Sequence, residues 1–134
     1  MTEPQSVPSS LELVVEPRSE RFEEADGRWR EQVGAFYREL RGEVGDVRRE
    51  SRPEAGAKGA TTDIIVALGS SGALTAAVTM FKAWLDRDKT RSLEIEWTDG
   101  DRRRTLSIRG TDVEEDTFDE LARAAGRREL GGTG

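Results

Sequence analysis

A chain of 134 residues has room for one domain around one core, and with 34% hydrophobic against 36% charged residues that core must be lean. There is no His and no Cys, which removes disulfides, thiolate chemistry, the commonest general base and the commonest metal ligands together, so no cofactor or metal is expected. The net charge of −6 argues against nucleic acid as a partner, because phosphate contacts need clustered positive charge.

Residues 1–9 are polar, carry Pro4 and Pro8, and are expected to be disordered; a basic stretch followed by an apolar one is missing there, so no secretory signal is read and the cytoplasm is the expected location. In Leu11-Glu12-Leu13-Val14-Val15-Glu16, Leu11, Leu13 and Val15 share one face of a strand that Pro17 is expected to end. From about Ser19 the period changes: Phe22, Trp29, Val33, Phe36 and Leu40 recur at helical spacing, and Gly42 and Gly45 stop the helix. Asp46-Val47-Arg48-Arg49-Glu50 reads as an edge strand whose charges deter further pairing, and Pro53 to Gly59 as a loop.

A second helix is predicted over 63–86, capped by Thr61 or Thr62, with a seam of Ile64, Ala67, Ser71, Leu74, Val78, Phe81 and Leu85. Beside the seam runs a strip of small residues, Gly69, Ala73, Ala76, Ala77 and Ala83, that would let a neighbouring backbone come close. Ser92 to Thr98 alternates, with Leu93, Ile95 and Trp97 inward; Asp99-Gly100-Asp101 turns the chain, and Leu106 and Ile108 return on the same face. Thr111-Asp112-Val113-Glu114 resembles a capping box before a helix carrying Phe118, Leu121, Ala122 and Ala125. The order β-α-β-α-β-β-α predicts an α+β fold: a single domain over residues 10–126, about four strands covered on one face by helices, and a frayed end at 127–134. If the first two strands are parallel neighbours, their crossover should be right-handed.

Few groups point to chemistry. Gly56-Ala57-Lys58-Gly59-Ala60-Thr61-Thr62 has the ingredients of a phosphate loop, but Lys58 precedes Gly59 where that chemistry needs Gly-Lys-Ser/Thr; a weak anion contact at Lys58 and Gly59 stands beside the plainer account of a connector. Gly69-Ser70-Ser71-Gly72 fails the nucleophile-elbow pattern at Ala73, and Ser70 or Ser71 would need Lys58 or Lys82 as its base. Small residues chosen for packing explain the segment better, so no catalytic residue is assigned. The carboxylates Glu94 and Glu96, and Glu114, Glu115 and Asp116, lack metal-loop spacing. Arg102, Arg103 and Arg104, together with Arg87, Lys89 and Arg91, could form a basic patch at one end of the domain; a solvated turn is the plainer account, and an acidic protein partner the next. Ile64 to Phe81 is an uncharged run near the lower limit of a membrane span, but its Gly, Ser and Thr residues mark a core helix.

The run Ile64 to Arg91, IIVALGSSGALTAAVTMFKAWLDRDKTR, with LELVVE, YREL and GAKG before it and SLEIEW after it, resembles the effector-associated constant component family of bacterial conflict systems. The likeness extends from about Leu11 through Ala124, with TMFKAWL departing from more Leu- and Arg-rich versions. The resemblance implies a role and not a reaction: a non-catalytic accessory domain, encoded beside or fused to variable effectors such as caspase-like or trypsin-like peptidases and signalling NTPases. It would act as an adaptor or scaffold, with self-association open. The interaction candidates are Gly69, Ser70, Ser71, Gly72, Ala73 and Ala76 on the helix, and Arg102, Arg103 and Arg104 at the hairpin. The alternative is a membrane-perturbing component that releases the 63–86 helix.

Overall fold

The computed structural model describes residues 11–23, 25–53, 60–99, 101–113, 115–119 and 121–123. The expected disordered start, Lys58 and Gly59 of the loop, the turn residue Gly100 and the frayed end lie outside the described residues. Five strands and two long helices follow one another as β1 (Leu11–Ser19), α1 (Gly27–Val44), β2 (Val47–Pro53), β3 (Ala60–Leu68), α2 (Ser71–Asp86), β4 (Arg91–Asp99) and β5 (Arg102–Arg109). A short 3-10 turn, Glu115–Phe118, comes next, with helical residues at 119 and 121–123. The strands form one antiparallel sheet in the order β2-β3-β1-β4-β5, so the fold is α+β as expected.

One strand more is present than the sequence predicts, because the expected 63–86 helix divides. Residues 60–68 are β3, bonded to β1 on one side and β2 on the other; the helix begins only at Ser71. The cause is burial on both faces. Ile64, Val66 and Leu68 point to the core, while Ile65, on the opposite face, is only 4% exposed. A short run that is apolar on both sides carries no period to distinguish strand from helix. On that opposite face Ile65 stands between Val14 of β1 and Arg48 of β2, and Arg48 reaches across the strand to Glu12 of β1 at 3.3 Å, so part of its cover is the stem of a charged side chain. Thr61 and Thr62 are therefore strand residues and not caps, and Asp63 is a buried strand residue opposite Glu50.

One other expectation is corrected, and one condition is not met. Pro17 does not end β1, which runs on to Ser19; past Val15 the strand keeps only β4 as a neighbour, and such a one-sided stretch accommodates a residue without an N–H. Nor are β1 and β2 neighbours. They are parallel, but β3 lies between them, so the simple crossover unit does not form.

Both helices cover one face of the sheet. α1 starts at Asp26, whose carboxylate accepts the N–H of Arg28 at 2.9 Å, and ends at Gly45 with φ 99°, a conformation that favours glycine. Ser19 and Phe22, read as the start of this helix, precede it; Phe22 stacks on Trp29 at 6.5 Å. Between the helices an aromatic chain runs from Trp29 through Trp84 (5.7 Å) and Phe36 (4.7 Å) to Phe81 (6.2 Å) and Phe118. Beneath it lie Leu13, Val15, Ile64, Val66, Leu93, Ile95 and Ile108 from four strands.

Among the described residues no helix is long and apolar enough to cross a membrane. α2, with 16 residues, spans about 24 Å against a hydrocarbon core of about 30 Å, and its last turns carry Lys82 and Asp86.

Candidate functional site

The antiparallel register gives the sheet two ends, and they differ in chemistry. At one end β1 begins at Leu11, β3 finishes at Leu68, and the β4–β5 hairpin turns between Asp99 and Arg102. Both sets of interaction candidates sit there: Gly69 to Ala73 leads out of β3 into α2, and Arg102, Arg103 and Arg104 leave the hairpin turn.

Ser70 is the N-cap of α2. Its backbone is extended, and its Oγ accepts the N–H of Ala73 at 3.1 Å. Gly69 and Gly72 are exposed, and a side chain at Gly69 would meet nothing within 4 Å, so close packing is not what selects glycine there. Of the small strip, Ala77 is fully buried in the core, whereas Ala73, Ala76 and Ala83 are half-buried. Lys82, the candidate base for Ser70, lies twelve residues along the chain with its Nζ over the Phe118 ring at 5.8 Å. That is about 18 Å of helix away, so a serine–lysine pair is not assembled there. Arg103 reaches Glu96 at 3.7 Å from an exposed position, and Arg104, opposite Trp97, is half-buried.

Arg87, Lys89 and Arg91 lie at the other end of the sheet. Ser92 pairs with Arg109 and Asp99 with Arg102, so the two groups of basic residues are separated by the length of the hairpin, about 23 Å. The single basic patch that the sequence left open beside the plainer solvated turn is therefore two separate features.

Arg91 faces the core side. It donates to the Trp84 carbonyl near the C-terminus of α2 and to Gln32 Oε1 of α1, both at 2.8 Å, with its guanidinium 4.5 Å from the Trp84 ring. Burial lowers its pKa from the ordinary arginine value, an effect that nearby Asp88 opposes. This arginine fastens β4 to both helices. Asp88 holds the turn before it by accepting from Thr90 N (3.0 Å) and Thr90 Oγ1 (2.7 Å), bonds that keep its carboxyl below the usual Asp range.

On the side of the sheet away from the helices, this same end forms a depression of about 460 Å³. Its base is a row of three directly paired residues, Arg18 of β1, Ser92 of β4 and Arg109 of β5. Sequence reading missed this row, since its members are 17 to 91 positions apart and only the strand register unites them. Among the described residues no group of three or more acidic side chains is arranged to hold a metal ion.

Comparison with curated proteins and with solved structures finds no match. The family model described as Effector Associated Constant Component 1 matches residues 30–126, which takes in most of α1, β2 to β5, α2 and the chain after β5, and leaves β1 outside. That range is most of the folded chain, and this protein belongs to the Effector Associated Constant Component 1 family.

Proposed function

We propose that this protein is a non-catalytic adaptor that recruits or regulates a protein effector, a caspase-like or trypsin-like peptidase or a signalling NTPase, in a bacterial conflict system directed at viruses. Family membership is the observation that carries this reading, since the family takes its name from association with effectors. The placement of the hydroxyl and lysine candidates supports it: Ser70 is committed to capping α2, and Lys82 is directed at Phe118 and not at a serine. An adaptor needs a surface and not a reaction. The hairpin end of the sheet offers one, where the exposed start of α2 and Arg102, Arg103 and Arg104 lie at the same end of the strands. An acidic surface on the effector complements those arginines.

The test is co-expression of the tagged chain with the products of adjacent genes. Retention of a peptidase or NTPase partner is expected, with marked weakening when Arg102, Arg103 and Arg104 are together changed to Glu. The purified chain is expected to show no hydrolase turnover and no leakage of liposomes. A turnover abolished by Ser70→Ala or Ser71→Ala in a folded variant would overturn the adaptor reading.

A further inference from the structure

The depression at the end opposite the hairpin tip has the character of a ligand site. Adjacent strands lie about 4.8 Å apart, so the side chains of Arg18 and Arg109 rise about 10 Å from each other with the small Ser92 between them. Two long basic side chains thus flank a gap where the sheet offers only a hydroxyl. Arg18 is ion-paired to Glu16 at 3.3 Å. Arg109 has no ion-pair partner among the described residues, and the hydroxyls of Ser92 and Thr111 have no hydrogen-bond partner there either. By contrast, the neighbouring hydroxyls are engaged: Ser19 with the N–H groups of Arg21 and Phe22, Thr90 with Asp88, and Ser107 with Glu94. Arg109, Ser92 and Thr111 thus line one depression with donors that no other described group takes up.

We propose that this depression binds a small oxyanion, a phosphate or carboxylate group, between Arg109 and Arg18 over the hydroxyl of Ser92. Guanidinium groups suit such an ion because their parallel N–H bonds match two of its oxygens. Arg18, Lys89, Arg91 and Arg109 line the depression together with Glu20 and Glu94; Arg18 is shared with Glu16 and Lys89 with Asp86, so among the described residues there Arg109 is the cation free to take an anion. Among the described residues Lys89 is held by Asp86 alone, at 3.9 Å, with both side chains well exposed, and can turn toward a bound anion. The lining has no aromatic ring, so a nucleobase has nothing to stack on, and the volume suits a small phosphorylated or dicarboxylate molecule. The floor is rigid. Gly110 brings β5 so close to the turn before β4 that its Cα hydrogens face Asp88 O and Lys89 Cα, which fixes Arg109 and Thr111 on either side.

The test is titration of the isotopically labelled full chain with inorganic phosphate and, separately, with succinate, ionic strength being held constant with sodium chloride. Saturable shifts are expected at the amides of Ser92, Arg109 and Thr111 and at Arg109 Nε, and the tighter of the two probes identifies the oxyanion class. Arg109→Gln should weaken binding about tenfold, the loss of one charge-assisted partner. Glu94→Gln, which removes an opposing charge, should strengthen it, and Arg103→Gln, at the far end of the hairpin, should leave it unchanged. Absence of saturable shifts with both probes overturns the proposal, as does equal weakening by Arg109→Gln and Arg103→Gln, which signifies nonspecific charge attraction.

Discussion

Gly110 lies where β5 leaves the sheet, and its N–H donates to the Arg91 carbonyl at 2.8 Å. A Cβ at this position would stand 3.0 Å from Asp88 O and Lys89 Cα and 3.1 Å from Arg91 O, all of them backbone atoms that cannot swing aside. Gly110→Ala should therefore cost about 1–3 kcal/mol, while Gly69→Ala, which meets open space, should stay within about 0.5 kcal/mol. Urea midpoints at unchanged slope separate the two outcomes. The neighbouring Asp88 adds a pH signature. Its folded pKa lies below the ordinary value, so its contribution is present above the unfolded pKa of about 4 and is lost as pH falls through the folded one. Asp88→Asn should cost about 1 kcal/mol at neutral pH, through its bonds to Thr90, and the gap from the parent should close as the pH falls below about 4. A gap of constant size across that range would mean that the carboxylate charge has no part in holding the turn.

At the scale of elements, the segment predicted as one helix over 63–86 is a strand, β3, followed by a helix, α2, that Ser70 caps. Loss of the cap in Ser70→Ala should destabilise the protein by about 1 kcal/mol. Loss of the packing side chain in Leu74→Ala or Phe81→Ala should cost about 2–5 kcal/mol, because both residues are buried in the core. Thermal melts that leave Phe81→Ala at the parent midpoint would contradict the packing described for α2. These elements also mark how far the sequence could be read. Strict alternation of Leu93, Ile95 and Trp97, answered by Leu106 and Ile108, made the β4–β5 hairpin plain, and the spacing of Trp29, Val33, Phe36 and Leu40 did the same for α1. β3 was not legible because Ile64, Ile65 and Val66 are all buried; the neighbours of Ile65 on its face, Val14 and Arg48, come from strands distant in the chain. The row of Arg18, Ser92 and Arg109 was invisible for the same reason: local patterns reveal which face a residue takes, while register across strands is set by long-range pairing.

Over the whole molecule, two consecutive antiparallel pairs, β2–β3 and β4–β5, stand on either side of a strand from the other end of the sequence. β1 bonds to β3 through Leu11 to Val15 and to β4 through Val14 to Ser19, and without it the two pairs share no bonded edge. Two-stranded ribbons are marginal alone, so cooperative folding of the sheet depends on contacts that span 49 to 82 positions of sequence. Loop closure of that length makes folding slow compared with helical domains of the same size.

The matched family range begins within α1, after that central strand. A chain cut to begin at Gly27 would keep every described element except β1, and with it a slot flanked by the exposed backbones of β3 and β4 and floored by the apolar side chains of both helices. Such a fragment should be incompletely folded alone and should recover a single cooperative melting transition when a synthetic peptide of residues 11–19 is supplied in trans, as followed by circular dichroism. The first strand would then behave as a detachable part, and the protein could be divided at the turn before α1 into two halves whose reunion reports that they have met.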